Sequence, residues 1–358
     1  RNLEAPTAEM GIPATIETRT GDTPHAKRRR QRERPPHLLI TTPEQVSLLV
    51  ADPGAGHLLK NLRAIIIDEL HALVTSKRGV LLSLALSRLA SLAPRARRIG
   101  LSATVADPDA LRQWLVPVGA TPAALVLGQA GAAANIRILK SVERVPWAGH
   151  SALYAIPEIY QAIGKARMTL VFVNTRSQAE IVFQALWTAN EDGLAIALHH
   201  GSLDVGQRRK VEAAMAAGRL KAVVCTSTLD LGIDWGEVDL VIHVGAPKGS
   251  SRLLQRIGRS NHRLDQASEA MLVPSNRFEV LECEAARQAA RENAQDTEYP
   301  SIAKLDVLAQ HVLGRACAGP FHPDELFAEV TRAWTYRNLA RADFDRVVDY
   351  VATGGYAL

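Results

Sequence analysis

The amino-acid sequence predicts an α/β protein with two parallel-sheet units followed by a smaller helical region, and three observations carry that prediction. Seven short apolar runs recur along the chain: HLLITT (37–42), AIIID (64–68), RIGLSAT (98–104), TLVFVNT (169–175), LAIALHH (194–200), AVVCTST (222–228) and DLVIHVG (239–245). Runs of this length, rich in Val, Ile and Leu, read as strands buried on both faces. Helical patterns lie between them, and such alternation builds parallel sheets covered by helices. The alternation is interrupted by LGQAGAAAN (127–135), a Gly/Ala stretch with the composition of a hinge, and it ceases after about residue 275.

Taken in order, KRRRQRER (27–34) reads as a short surface helix with six basic residues, either a solvated face or a landing site for nucleic-acid phosphates. Strand 37–42 passes into the helical PEQVSLLVAD, and strand 64–68 ends in adjacent carboxylates. GVLLSLALSRLASLA (79–93) is an apolar helix leading to strand 98–104. Past the hinge, strand 169–175 feeds SQAEIVFQALWTAN, and strand 194–200 feeds VGQRRKVEAAMAAG. A charged helix over 277–293 is broken by AQDTEYP. Three helical segments close the chain, at 301–319, 322–334 and 340–355; Pro323 and Asp324 mark a helix start and Gly354–Gly355 a stop. Three such helices suit a winged-helix-like α domain cut at its wing, the plain alternative being a three-helix bundle.

Length favours two or three domains, placed at 1–128, 136–283 and 299–358. With 47% hydrophobic and 22% charged residues the chain is ordinary globular material. A net charge of +5 permits a polyanionic partner without demanding one. Cys225, Cys283 and Cys317 show no metal-type spacing, so buried thiols in a reducing cytosol are expected. No apolar run reaches the ~18 residues of a membrane span; a cytoplasmic protein with no membrane partner is expected. Of Trp114, Trp147, Trp187, Trp235 and Trp334, four lie in helical or strand patterns and are expected in the core. A base-stacking aromatic is plausible, but none can be singled out.

The chemistry starts in AIIIDELHALVTSKRG (64–79). An aspartate at the carboxyl end of a buried parallel strand lies where α/β folds bind ligands. In nucleotide hydrolysis Asp68 would hold Mg²⁺, through water, and Glu69 would orient or deprotonate the attacking water. Strand ends are also acidic simply to stay solvated. GLSATV (100–105) ends a second strand in Ser102 and Thr104, and DLVIHVGAPKGSSRLLQRIGRSNHR (239–263) sets Gln255, Arg256 and Arg259 on a helix after a strand. A forked, permanently charged guanidinium suits the charge developing on a transferring phosphoryl group, although an arginine-rich helix can be merely solvated. The order DELH, SAT, QRIGR is what raises these patterns above chance.

In that order they resemble motifs II, III and VI of superfamily 2 helicases. LVFVNTR (170–176), HHGSLD (199–204) and TSTLDLGIDWG (226–236) resemble motifs IV, IVa and V, while TGDT (20–23) and TTPEQ (41–45) resemble the glycine motif and motif Ib. DELHALVTSKRG and the run from DLGIDWG to SNHR are similar to the large helicase-related (Lhr) family, most like its bacterial DEXH-box members associated with DNA ligase and the DNA damage response. The resemblance runs essentially end to end. It implies two RecA-like domains, the first truncated at its N-terminus, and then a winged helix. No Gly-x-x-x-x-Gly-Lys-Ser/Thr phosphate loop occurs in the sequence, whose only Gly-Lys pair, Gly164–Lys165, lies in a helical pattern before alanine. RNLEAP resembles the segment after motif Ia, so motif I is expected before residue 1, with a further region beyond the winged helix.

Carried over residue by residue, the resemblance implies a two-lobed motor using ATP and Mg²⁺. Asp68 and Glu69 would handle metal and water. His71 would link the nucleotide site to motif VI through Gln255, and Ser102 and Thr104 would couple nucleotide state to lobe position. Gly232, Asp234, Arg256 and Arg259 would contact the nucleotide, with Arg259 as the arginine finger. The second motif VI arginine falls on His262, beside Arg263, which leaves the finger open by one position. Thr42, Thr175, Arg176, Gly201, Ser202 and Thr226 sit where strands give way to helices and would grip phosphates without reading sequence; singly, each is also a plain helix cap. The implied activity is 3′-to-5′ movement on single-stranded DNA with unwinding of DNA or RNA:DNA duplexes in repair, beside a DNA ligase and an exonuclease. The alternatives are a nucleic-acid-binding module that cannot hydrolyse ATP as the chain stands, and an RNA helicase. TSKRG (75–79) has no role derivable from sequence.

Overall fold

The computed structural model describes residues 3–102, 105, 107–128, 132–149, 151–230, 238–258, 260, 267–292, 294 and 300–354. Each of the seven apolar runs holds all or most of a strand, and three further strands lie outside them. In chain order they are β1 (Ile16–Arg19), β2 (Leu38–Thr41), β3 (Ala64–Ile67), β4 (Arg97–Gly100), β5 (Asn135–Ile138), β6 (Thr169–Val173), β7 (Ile196–His199), β8 (Ala222–Cys225), β9 (Leu240–Val244) and β10 (Glu269–Val273). Every pairing among them is parallel. The overlooked β1 (IETR) and β5 (NIRI) carry charge within four residues and end their sheets, where one side of a strand meets water.

The chain divides into two units, Leu127–Asp296 and Arg1–Val126 with Thr297–Leu358. In the former the order is β5-β10-β9-β6-β8-β7. Residues of β6 alternate between two cores: Val171 and Val173 join Ile159, Ile163, Val182 and Leu186 on one face, while Leu170 and Phe172 join Met215 and Leu229 on the other. The period of two along a strand makes this inevitable once both faces carry helices, and it accounts for the unbroken apolar run Leu170–Val173.

The other unit departs from expectation. Its strands form two pairs, β1-β2 and β3-β4, and they are not buried on both faces: Ile66 is 56% exposed beside Ile67 at 5%. The helix Lys77–Leu92 packs on the Ile67 side, where Leu82, Ala85, Leu86 and Leu89 join Trp114 and Leu115. Its opposite face, Val80, Leu81 and Leu84, enters a second core with Leu308, Val312, Leu326, Val330, Tyr336 and Phe344. A helix that is apolar all round must be covered all round, and here the C-terminal helices Leu305–Ala318, Pro323–Thr331 and Arg341–Thr353 supply the second cover. Each aliphatic side chain so buried contributes about 1.5–3 kcal/mol. Within this contact the half-buried Arg88 and Arg315 reach the Glu329 carboxylate at 3.2 and 3.3 Å. Burial alone would raise that carboxyl's pKa, but His311 and the two guanidinium groups outweigh it and hold the group ionised below its usual range.

TSKRG acquires a role: Ser76 caps the long helix by accepting from the Gly79 N–H at 3.2 Å, and a Cβ on Gly79 would lie 2.1 Å from the Leu73 carbonyl oxygen. The basic run forms the helix His25–Glu33, and its charges are largely tied within the unit. Arg28 donates to the Gly21 carbonyl, Arg30 pairs with Glu17 and Arg32 with Asp52. Trp114 is buried as expected, but Trp147 and Trp187 are 66% and 58% exposed, and Trp235 lies outside the described residues. Cys317 is exposed rather than buried. Among the described residues no helix is long and apolar enough to cross a membrane.

Candidate nucleotide and nucleic-acid site

β3 ends at Ile67, and two hydrogen bonds stitch its exit to the exit of β4: Leu101 N–H donates to the Ile67 carbonyl at 2.8 Å and Leu70 N–H to the Leu101 carbonyl at 2.9 Å. Between them Glu69 adopts φ 49°, ψ 44°, a left-handed conformation rare for a residue with a side chain. Such strain costs on the order of 1–3 kcal/mol and gathers at functional turns. Glu69 N–H donates to Asp68 Oδ1 at 2.9 Å. One turn on, His71 Nδ1 lies 3.1 Å from the Ser102 hydroxyl while Nε2 lies 3.5 Å from the Glu69 carboxylate. The close seating of β4 on this turn leaves little space at Gly100, where a Cβ would come within 2.6 Å of Leu70 Cδ2. Asp68, Glu69, His71 and Ser102 therefore form one cluster at the carboxyl ends of paired strands. Thr104 lies outside the described residues.

Among the described residues no group of three or more His, Cys, Asp or Glu could cage a metal. Asp68 is exposed, with one oxygen turned back to the chain. That donor set fits Mg²⁺ held by a single carboxylate, waters and phosphate oxygens, the usual arrangement where a nucleotide brings the remaining ligands.

In the other unit, Thr175 and Arg176 follow β6, Gly201 and Ser202 follow β7, and Thr226 follows β8. These strands are neighbours in the order β6-β8-β7, so the five residues share the sheet's carboxyl edge. The Arg176 guanidinium donates to the Ser202 hydroxyl. Thr175 is also an ordinary cap, accepting from Gln178 N–H at 3.2 Å. Thr226 is buried and caps nothing with its side chain, and Gly201 has no steric need to be glycine. Thr42 belongs to the first unit and precedes the helix Pro43–Val50. It contributes to holding the Glu44 carboxyl down at about 2, where Arg78 is the leading cause.

Arg256 is placed as an anchor. Its side chain is 2% exposed; Nε and Nη2 donate to the Asp230 carboxylate at 2.8 and 3.4 Å, Nη1 meets His243 Nε2 at 2.6 Å, and the group lies over the Phe172 ring at 4.6 Å. His243 Nδ1 donates to the Gly245 carbonyl at 3.0 Å, which leaves Nε2 as an acceptor for the guanidinium. Burial first, and the Arg256 charge second, depress the His243 pKa to about 3. The Gln255 side-chain nitrogen is buried without a partner among the described residues. Gly232, Asp234, Arg259, His262 and Arg263 lie outside the described residues. Asp230 and His243 escaped the sequence reading; the one signal was a histidine inside the apolar run LVIHV, since a buried polar group needs a partner.

Three family models match the chain: DEAD/DEAH box helicase over residues 1–111, helicase conserved C-terminal domain over 153–263, and the large helicase-related protein winged helix domain over 288–358. Two RecA-like lobes bearing these motifs, joined to such a winged helix, define a superfamily 2 helicase. The ATP-dependent helicase Lhr-Core of Methanothermobacter thermautotrophicus is 38% identical over 371 residues, covering 98% of this chain and 43% of that protein. The Lhr helicase/probable uracil glycosylase of Mycolicibacterium smegmatis is 32% identical, covering 98% and 26%. The solved structure of Mycobacterium smegmatis helicase Lhr bound to ssDNA and AMP-PNP superposes with a TM-score of 0.85 at 34% identity, covering 98% of this chain and 47% of that one. The chain belongs to the Lhr family, and it spans less than half the length of these relatives.

Proposed function

We propose that this chain forms the motor core of an ATP-dependent helicase that moves 3′ to 5′ along single-stranded DNA and unwinds DNA or RNA:DNA duplexes. The observation that carries the proposal is the strained DELH turn, with Glu69 held in a left-handed conformation and His71 between it and Ser102. Bound ATP with Mg²⁺ supplies the phosphoanhydride and the charge neutralisation for hydrolysis. Asp68 offers its free oxygen to the metal. Glu69 orients and deprotonates the attacking water, and His71 with Ser102 holds that carboxylate in place. Arg259, beyond the anchoring Arg256, carries the positive charge that answers the developing phosphoryl charge, with Gly232 and Asp234 beside the nucleotide. Gln255 and Thr104 take the family's coupling roles. Thr42, Thr175, Arg176, Gly201, Ser202 and Thr226 bind the strand through its phosphates, as the pairing of Arg176 with Ser202 at a sheet edge supports. The relative solved with ssDNA and AMP-PNP supports DNA as the track. A repair setting with ligase and exonuclease partners follows from the sequence resemblance, and a cytoplasmic location from the cysteine usage.

The test is Glu69→Gln in full-length protein. DNA-stimulated ATP turnover should fall by about 10²–10⁴-fold, the span general-base removal produces, while single-stranded DNA binding persists. Undiminished turnover would remove the assignment. A second reading, a binding module without hydrolysis, is favoured for the 358 residues alone by their lack of a Gly-x-x-x-x-Gly-Lys-Ser/Thr loop. Comparing DNA:DNA, RNA:DNA and RNA:RNA duplexes in the same assay separates DNA from RNA unwinding.

A further inference from the structure

Among the described tryptophans, Trp114 is core and Trp334 is covered by Arg337, whose guanidinium lies 3.6 Å from its ring centroid. Trp187 is exposed but closes the helix Arg176–Thr188, which follows β6 and returns antiparallel to it, so Trp187 lies toward the sheet's amino edge. Trp147 is different. It is 66% exposed, yet its loop is bound from both sides to the start of the helix Arg277–Arg291. Arg277 N–H donates to the Pro146 carbonyl at 3.0 Å, Arg277 Nε to the Val145 carbonyl at 3.2 Å, and Asn276 Nδ2 to the Gly149 carbonyl at 3.1 Å. The Arg277 guanidinium lies over the Trp147 ring at 4.2 Å.

This anchorage sits on the same carboxyl edge as the phosphate-gripping residues. Arg277 follows β10, and Glu279 of the same helix accepts from Ala246 N–H at 3.1 Å, just past β9. Ala246 in turn accepts from Asn174 Nδ2 at 2.9 Å, just past β6 and next to Thr175 and Arg176. β10 and β6 are two strand spacings apart, about 10 Å. A large ring held at the surface in one orientation forgoes burial and has already lost its rotamer freedom, the condition for binding a flat partner cheaply.

We infer that Trp147, clamped by Arg277, is a stacking platform for an unpaired nucleobase of the strand whose phosphates the Arg176–Ser202 edge holds. The inference rests on the nucleic-acid part of the proposed function and adds a base contact to it.

The test measures binding of a fluorescent single-stranded oligothymidylate by the chain, repeated with one abasic position walked along the strand. For the wild type, one abasic position should weaken binding by about 5- to 150-fold, the range a lost base–aromatic stack spans. Trp147→Ala should weaken the intact strand by a similar factor and flatten the abasic profile, while Trp147→Phe keeps most of both. Arg176→Ala should weaken binding at every abasic position alike. If Arg176→Ala weakens binding but Trp147→Ala leaves affinity and profile unchanged, the phosphate edge stands and the platform falls. A wild type that binds no single strand overturns both readings.

Discussion

Removing the Asp230 carboxylate should unsettle the second lobe more than any other single polar change described. Asp230 and Arg256 have side chains 5% and 2% exposed and share two hydrogen bonds. Asp230→Ala leaves a guanidinium buried with, among the described residues, His243 Nε2 and the Phe172 ring as its remaining partners, since the neighbouring Arg252, which also pairs with Asp230 at 3.2 Å, adds like charge. Orphaning one member of a buried pair costs about 3–5 kcal/mol, whereas replacing both by apolar residues is often close to neutral. Asp230→Leu with Arg256→Met should therefore cost far less than Asp230→Ala, retaining about 1 kcal/mol for the donor that His243 Nε2 loses. Hydrogen exchange of the β9 amides, read peptide by peptide in the intact chain, reports the opening free energy of this lobe. The reasoning fails if Asp230→Ala lowers that energy by less than about 1 kcal/mol, or if the double variant is as damaged as the single.

The depressed His243 fixes a pH dependence. Between pH 6.5 and about 3 the unfolded chain protonates this histidine and the folded chain does not, so stability is complete above pH 6.5 and falls as the pH drops, by at most about 1.4 kcal/mol per unit. His199 is depressed by burial as well and adds the same sign; the readout is accordingly the difference between wild type and His243→Gln in urea titrations at pH 7, 6 and 5. Parallel slopes would refute the assignment. Gly79→Ala should lower the melting temperature of the first unit sharply, because its Cβ would meet the Leu73 carbonyl at 2.1 Å and backbone must move, a strain of about 1–3 kcal/mol or more. A wild-type melting curve would show that the approach is not tight.

Seven of the ten strands, the motifs and the family were legible in the sequence, because each is a local pattern: apolar runs for β6, β8 and β9, DELH at a strand's end, Pro323 at a helix start and Gly354, with φ 72°, at a helix stop. The sequence also put Asp68, Glu69 and His71 in one turn. It did not disclose which apolar helix serves two cores, since Val80 and Leu82 look alike until the C-terminal helices choose a face. Nor could it separate an anchoring arginine from a ligand-facing one. Arg256 and Asp230 stand 26 residues apart, and only the burial of both against β9 and Phe172 turns a surface-looking charge into an interior ion pair. Tertiary structure decided those points, because desolvation depends on what the rest of the chain covers and leaves no period in the sequence.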